Sequence, residues 1–332
     1  MKKITQSALA ILTVSAILSA LSLSATSAAP SPKSPKSSKN YWTLEKFKKA
    51  KPFEMIFDGK SKFAKRVTLP SPQKPSPPES NVVTGLPWNS GGVPESSTGK
   101  VFFSIGDFGY TCSGALVKED DLTRAIVLTA GHCAYDQQPG SAGAYVTNWI
   151  FIPNFEKFGL PSGGICTVSA HCWSADALTV DSTFEGEDGF SDTATAHDWA
   201  FATINLAGNS ALPDAGMSDL YPLKVSGDAF ASPSNLLSYS FGFPAQAKFK
   251  GNDLIYCKGD VFSDLLNNSA TWGMRCDMTG GASGGPWISR YGTADVGLGS
   301  VNSYKYTNDR KRMYGPKFNE GTAATFNVAL GK

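Results

Sequence analysis

Thr279-Gly280-Gly281-Ala282-Ser283-Gly284-Gly285-Pro286 decides how this 332-residue chain is read. Glycines on both sides of one serine let the backbone turn sharply and present its N–H groups. Those of Gly281 and Ser283 can point at one spot and there hold the oxyanion of a tetrahedral intermediate. A serine hydroxyl is a weak nucleophile unless a base stands beside it and a third group orients that base. Two other strings offer these partners. In Leu128-Thr129-Ala130-Gly131-His132-Cys133 an imidazole follows an apolar run at 125–129, with small residues that leave it room. In His197-Asp198-Trp199-Ala200-Phe201 a carboxylate opens another apolar run. There it can be partly desolvated, accept a hydrogen bond from imidazole and fix the tautomer. His132, Asp198 and Ser283 are therefore the candidate base, orienting acid and nucleophile, and His197 reads as a neighbour.

The surrounding pattern is all-β. Short apolar runs at 101–105, 114–117, 125–129, 149–152, 199–204, 237–241, 286–288 and 296–301 are β-branched or aromatic and are punctuated by Gly, Pro, Asn and Asp. Such a series suggests a sandwich or barrels. The one convincing helix is at 320–330. Gly281-Ala282-Ser283-Gly284-Gly285 also fits the Gly-x-Ser-x-Gly string of α/β-hydrolase esterases. Those run Ser, acid, His and alternate strands with helices, whereas here the order is reversed and helices are scarce.

The N-terminus reads as an export signal at 1–28: Lys2 and Lys3, an uncharged apolar run at 8–23, then small residues up to a cleavage point after Ala28. Residues 29–81 read as a basic propeptide. Its tracts at 30–39 and 69–78 are rich in Pro and Ser and read as extended linker. Residues 1–81 hold 14 Lys/Arg against 4 Asp/Glu, and 82–332 the remaining 16 against 24, so an overall +2 divides into +10 and −8. Opposite fields suggest a prosegment that docks on the body, assisting its folding or blocking its site; a solvated tail that does not dock is the equal alternative. The acidic body argues against nucleic acid as a partner. No later segment is long and apolar enough to span a membrane. All six cysteines lie in the body, an even count that suits three disulfides in an exported chain but allows 15 connectivities.

With these strings in place, residues 98–330 resemble the chymotrypsin-like serine proteases, and within them the secreted bacterial and fungal glutamyl-endopeptidase-like branch. The resemblance implies two six-stranded antiparallel β-barrels with the triad in the cleft between them, followed by a short C-terminal helix. It makes 82–332 the protease domain. Thr111-Cys112-Ser113-Gly114 is similar to the family's Cys-Ser-Gly before the histidine strand, which implies a Cys112–Cys133 disulfide. Cys166–Cys172 and Cys257–Cys276 are then the neighbouring pairs that remain. Cys276-Asp277-Met278-Thr279-Gly280-Gly281 matches the same branch. Ala282 stands where trypsins carry the Asp that pairs with a new α-amino group, so activation by that route is not expected. Arg66–Val67 and Asn81–Val82 are candidate processing points.

The expected activity is that of a secreted, monomeric serine endopeptidase. It would act on proteins or peptides through an acyl-enzyme, with Gly281 and Ser283 as oxyanion donors and no metal or cofactor. The alternative is a protease-fold binding protein that has lost activity. Asp277, six residues before Ser283, sits at the trypsin spacing for Lys/Arg preference, yet the cysteine precedes it instead of following it. Gly299 stands where glutamyl-specific members carry a His, which argues against a Glu preference. Gly299, Ser300 and Asn302 are the expected pocket-side residues, with 300–302 pairing with substrate backbone. The acidic loop containing Asp181, Glu185, Glu187, Asp188 and Asp192 lacks the EF-hand spacing and reads as solvated.

Overall fold

The computed structural model describes residues 30–37, 41–58, 61–67, 82–225, 229–230 and 238–331. The expected leader at 1–28 and the tract at 69–78 lie outside them. Two β-lobes form the body. The first is one antiparallel path in the order Trp173–Ser174, Thr147–Pro153, Thr98–Ile105, Phe108–Val117, Arg124–Thr129, Ala200–Asn205, Ala177–Val180. The second lobe divides between two sheets. One is five-stranded, in the order Gly297–Val301, Pro286–Ser289, Ser238–Gly242, Ile255–Gly259, Val83–Pro87. The other runs Val261–Ser263, Thr271–Arg275, Asp309–Pro316, Tyr304–Tyr306 and then two strands from far upstream, Glu54–Phe57 and Lys65–Val67.

The apolar runs became strands because both of their faces are covered. On Thr98–Ile105, Phe102 meets Trp42 and Phe47, while its neighbour Phe103 meets Phe53. A strand buried on two faces reads as a continuous apolar run without alternation. Trp149, Trp199 and Trp287, all wholly buried, fill the lobe interiors. The C-terminal helix is Glu320–Ala329, capped by the Asn319 side chain in a reciprocal box with Thr322. It packs on the first lobe, where Thr325 accepts a hydrogen bond from the Trp199 indole at 3.2 Å. Disulfides join Cys112 to Cys133, Cys166 to Cys172 and Cys257 to Cys276.

The described residues upstream of 68 wrap this body. Lys33 forms a bridge with Leu178 at the edge of the first lobe. The helix Leu44–Lys49 follows, then Lys51–Pro52 pairs in parallel with Phe108–Val117, and Glu54–Phe57 pairs in parallel with Tyr304–Tyr306. Trp42, Phe47 and Phe53 are buried here, each contributing about 1.5–3 kcal/mol by leaving water. The charge contrast expected to drive this contact has a smaller part: Arg66 pairs with Asp136, but Glu54 meets Arg310 with the signs reversed. Strand pairing and aromatic packing dominate.

Candidate functional site

His132 lies in a 3-10 turn, Gly131–Cys133, directly after the strand Arg124–Thr129. Asp198 lies at the start of Ala200–Asn205, which pairs with that strand in register Ala200↔Thr129. Adjacent strand ends therefore bring the two together. Asp198 Oδ2 accepts from His132 Nδ1 at 2.8 Å, and Oδ1 accepts from the His132 backbone N–H at 2.8 Å. The hydroxyl of Ser303 donates to Oδ2 as well. Asp198 is wholly buried and both its oxygens are satisfied.

Ser283 belongs to the second lobe, on the turn leading into Pro286–Ser289. Gly281 has φ +96° and Gly284 has φ +80°, a region L side chains rarely adopt. A Cβ on Gly284 would also come within 2.2 Å of Thr129 Oγ1 and 2.4 Å of the Ser113 carbonyl oxygen. The turn is strapped to the first lobe through Ser113. Its N–H donates to the Ser283 carbonyl at 2.7 Å, and its hydroxyl donates to the Gly281 carbonyl at 2.8 Å and accepts from the Phe243 N–H at 2.9 Å. Ala282 is wholly buried, and a Cβ on Gly242 would touch it at 3.0 Å, so this loop is held by packing and by Ser113.

A peptide carbonyl occupies the space between these parts. The Phe53 carbonyl oxygen accepts from the Gly281 N–H at 3.0 Å and from Ser283 Oγ at 3.1 Å. The Phe53 ring stacks on the His132 imidazole, centroids 5.3 Å apart and planes 16° off parallel. His132 Nε2 finds no hydrogen-bond partner among the described residues. The serine proton is directed at the carbonyl and not at the base.

The pocket-side residues are distributed differently from expectation. Asn302 lies against the serine turn, and Ser300 pairs with Trp287. Ser300 Oγ donates to the Pro316 carbonyl at 2.7 Å. Asn302 Nδ2 donates to the Ala282 and Phe241 carbonyls at 3.0 and 2.8 Å, and its Oδ1 accepts from the Trp287 indole at 2.8 Å. Gly299 faces Ala229 and Phe230. The segment that pairs with the chain in the cleft is Tyr304–Tyr306. The turn at Asn302 ends one strand at Val301 and begins another at Tyr304, so the cleft-facing register falls further along the sequence. Asp264 fixes this second strand by accepting from both tyrosine hydroxyls, at 2.6 and 2.8 Å.

Asp277 is buried, with Oδ2 paired to Lys248 at 2.8 Å and Oδ1 against Gly85. Lys305 is fully buried, and its Nζ donates to the carbonyls of Cys276 at 3.0 Å and Arg310 at 2.7 Å. Burial pushes the Lys305 ammonium down to about 8, against the pull of Glu54 and Asp277. The Glu54 carboxyl is held above its ordinary value by burial, with Lys305 and Arg310 acting in the opposite direction.

The acidic-loop carboxylates each serve a separate partner. Asp181 caps the helix Ser182–Gly186 and pairs with His197 at 3.0 Å. Glu185 accepts from Tyr145, Glu187 from Ser191, and Asp188 from the Gly140 N–H. Asp192 opens the helix Asp192–Ala196. Ser303, Ser113 and Phe53 were not among the residues expected at the site. Ser113 lies within a strand and Ser303 between two, and neither has a local signature; Phe53 lies in a stretch that reads only as basic propeptide.

No protein-family model and no curated protein matches the chain. Among solved structures it is similar to the protease Anisep from Arthrobacter nicotinovorans, at 32% identity over 73% of this chain and 98% of that one, TM-score 0.57. It is similar also to the thermostable serine protease AL20 from an extremophilic microorganism, at 30% identity over 73% and 100%, TM-score 0.56. With identities at this level across nearly the whole of both proteases, the chain belongs to the serine proteases of the chymotrypsin fold.

Proposed function

We propose that the chain is the precursor of a secreted serine endopeptidase, held latent by residues 29–81. The observation that carries this reading is the amide carbonyl of Phe53, seated between the Gly281 N–H and the Ser283 hydroxyl. A site that holds one peptide carbonyl there can hold a substrate's. With the upstream segment gone, Ser283 Oγ attacks the scissile carbonyl carbon and His132 Nε2 takes its proton. The Gly281 and Ser283 N–H groups hold the oxyanion. Collapse expels the amine, which receives the proton from His132, and leaves an acyl-enzyme that water hydrolyses by the same steps. Asp198 keeps Nδ1 protonated and stabilises the imidazolium. This chain's residues supply every proton transfer in that sequence.

Latency follows from the same contact. Glu54–Phe57 runs parallel to Tyr304–Tyr306, and the nucleophile's proton points at the Phe53 oxygen, so the seated bond is not set up for attack. The leader at 1–28 and the three disulfides suit an extracellular enzyme, and among the described residues no helix is long and apolar enough to cross a membrane. The test is covalent labelling by a fluorophosphonate. The adduct should map to Ser283, appear as the prosegment is lost, and vanish in Ser283→Ala together with hydrolysis of a denatured protein substrate. Release of the prosegment without labelling or hydrolysis would leave a binding protein on a protease fold.

A further inference from the structure

Phe103 and Tyr110 are directly opposite residues of the hairpin formed by Thr98–Ile105 and Phe108–Val117. Side chains at opposite positions stand on one face of a sheet. The two rings stack there, centroids 5.9 Å apart and planes 25° off parallel. With the His132 imidazole they make three aromatic walls of a hollow, and the Phe53 ring fills it, 1% exposed. That ring lies flat on His132, edge-on to Tyr110 at 5.3 Å and tilted against Phe103 at 5.7 Å. Stacked and edge-to-face arrangements are those that aromatic pairs favour. At the rim Asp136 pairs with Arg66, whose guanidinium lies over the Phe53 ring at 4.7 Å. Phe53 and Arg66 both belong to the segment 29–81, whereas the three walls belong to the body.

The segment keeps one polarity along the cleft. Lys51–Pro52 pairs in parallel with Phe108–Val117, and Glu54–Phe57 pairs in parallel with Tyr304–Tyr306. Phe53, between them, donates its N–H to the Thr111 carbonyl at 3.0 Å. Within the proposed latency this is the unproductive direction, and a substrate strand runs the opposite way, antiparallel to both edges. Its acyl side then lies along Tyr304–Tyr306 and its leaving side along Phe108–Val117. With its carbonyl where that of Phe53 now sits, such a strand places the first residue of the leaving group in the Phe53 hollow. Resting on the reading of 51–57 as an occupant of the substrate cleft, we infer that this hollow is a leaving-side specificity pocket for aromatic side chains, with Phe103 and Tyr110 as the specificity-determining residues. Once Arg66 has gone, Asp136 leaves a carboxylate at the rim, which repels an acidic side chain there.

The experiment uses the full-length chain, secreted and allowed to shed its prosegment, at pH 7. A parent peptide is taken from a bond that the enzyme cuts in a denatured protein. Variants differing only at the residue after that bond (Phe, Tyr, Leu, Ala, Gly, Glu) are compared by kcat/KM, alongside fluorophosphonate labelling of Ser283. The expected result is Phe and Tyr about 10–100-fold above Gly, the range that burial of one such ring supplies, with Glu lowest. Tyr110→Leu should shrink the Phe-to-Gly ratio about fivefold, while Tyr110→Phe keeps it. A second measurement needs no variant. The amides of Phe and Gly are added to compete with water for the acyl-enzyme. The amine attacks the ester carbonyl, a C–N bond forms, the bond to Ser283 Oγ breaks, and the amine's proton passes through His132 Nε2 to that oxygen. Phe amide should capture the acyl group about tenfold better than Gly amide. A labelled enzyme that cleaves before Gly or Glu as well as before Phe overturns the pocket assignment and leaves the endopeptidase reading standing. So does a labelled Tyr110→Leu variant with an unchanged Phe-to-Gly ratio. A processed chain that neither labels nor cleaves any peptide overturns the endopeptidase reading, and the pocket assignment with it.

Discussion

Ser283 Oγ lies 3.1 Å from the carbonyl oxygen of Phe53 and donates to it, while the Nε2 that should receive its proton has no hydrogen-bond partner among the described residues. On the proposed reading, the nucleophile is thus present, oriented and diverted. Releasing it depends on the grip of the upstream segment, to which the Phe53 ring contributes through His132, Phe103 and Tyr110.

Phe53→Ala should loosen that grip. Removing a buried Phe ring costs roughly 3–5 kcal/mol, and this ring bridges segment and body. Labelling of Ser283 in the full-length chain should rise at least 100-fold, with far-UV circular dichroism unchanged. A rate equal to that of the parent chain would mean that the segment does not control access.

Within the triad, Asp198→Asn should lower kcat by about 10⁴, the loss known when the orienting acid of such a site is neutralised. Ser303→Ala should cost less. It removes one donor to a carboxylate that keeps two from His132, and a hydrogen bond to a charged group contributes roughly 1.5–3 kcal/mol. A fall of about 10–100-fold in kcat/KM is expected, measured on one peptide for both variants.

Lys305 is held down to about 8 by burial, against the pull of Glu54 and Asp277. A group whose folded value lies below its free one stabilises the fold above the free value of 10.5 and loses that contribution as pH falls through about 8. Lys305→Met should therefore flatten the dependence of Tm between those limits.

The Cys112–Cys133 bridge closes a loop with a sequence separation of 21 next to the base. Replacing both cysteines by Ala should destabilise the chain by about 3 kcal/mol on loop-closure grounds, read as a shift in denaturant midpoint at unchanged m.

The three strings around the residues proposed for the triad stood out because each such residue needs a particular kind of neighbour: small residues beside His132, an apolar strand after Asp198, glycines around Ser283. The short punctuated runs pointed to a sandwich or barrels, the two-lobed arrangement came from the family resemblance, and the C-terminal helix was read to within one residue of its end. What escaped was held by partners far along the chain. Ser303 meets Asp198 across 105 residues and Ser113 meets Gly281 across 168, and nothing local distinguishes either serine. The cleft-facing strand was read at 300–302 because nothing in the sequence announces that Asn302 folds back onto the Ala282 and Phe241 carbonyls. Residues 51–67 read as basic propeptide with no strand assigned, because Lys51–Pro52 and Glu54–Phe57 are completed by edges belonging to the body.

Ser113 has a wider implication. By tethering the serine turn to the opposite lobe, it would give the proposed oxyanion site its working shape before any cut is made, and the buried methyl of Ala282 leaves no socket for a newly formed amino terminus. On the proposed reading, such a precursor is a finished tool under a cover. Severing the cover starts nothing by itself. Onset should follow the first-order departure of the cut fragment, slow down when that fragment is added back, and show no lag for loop rearrangement once it has gone.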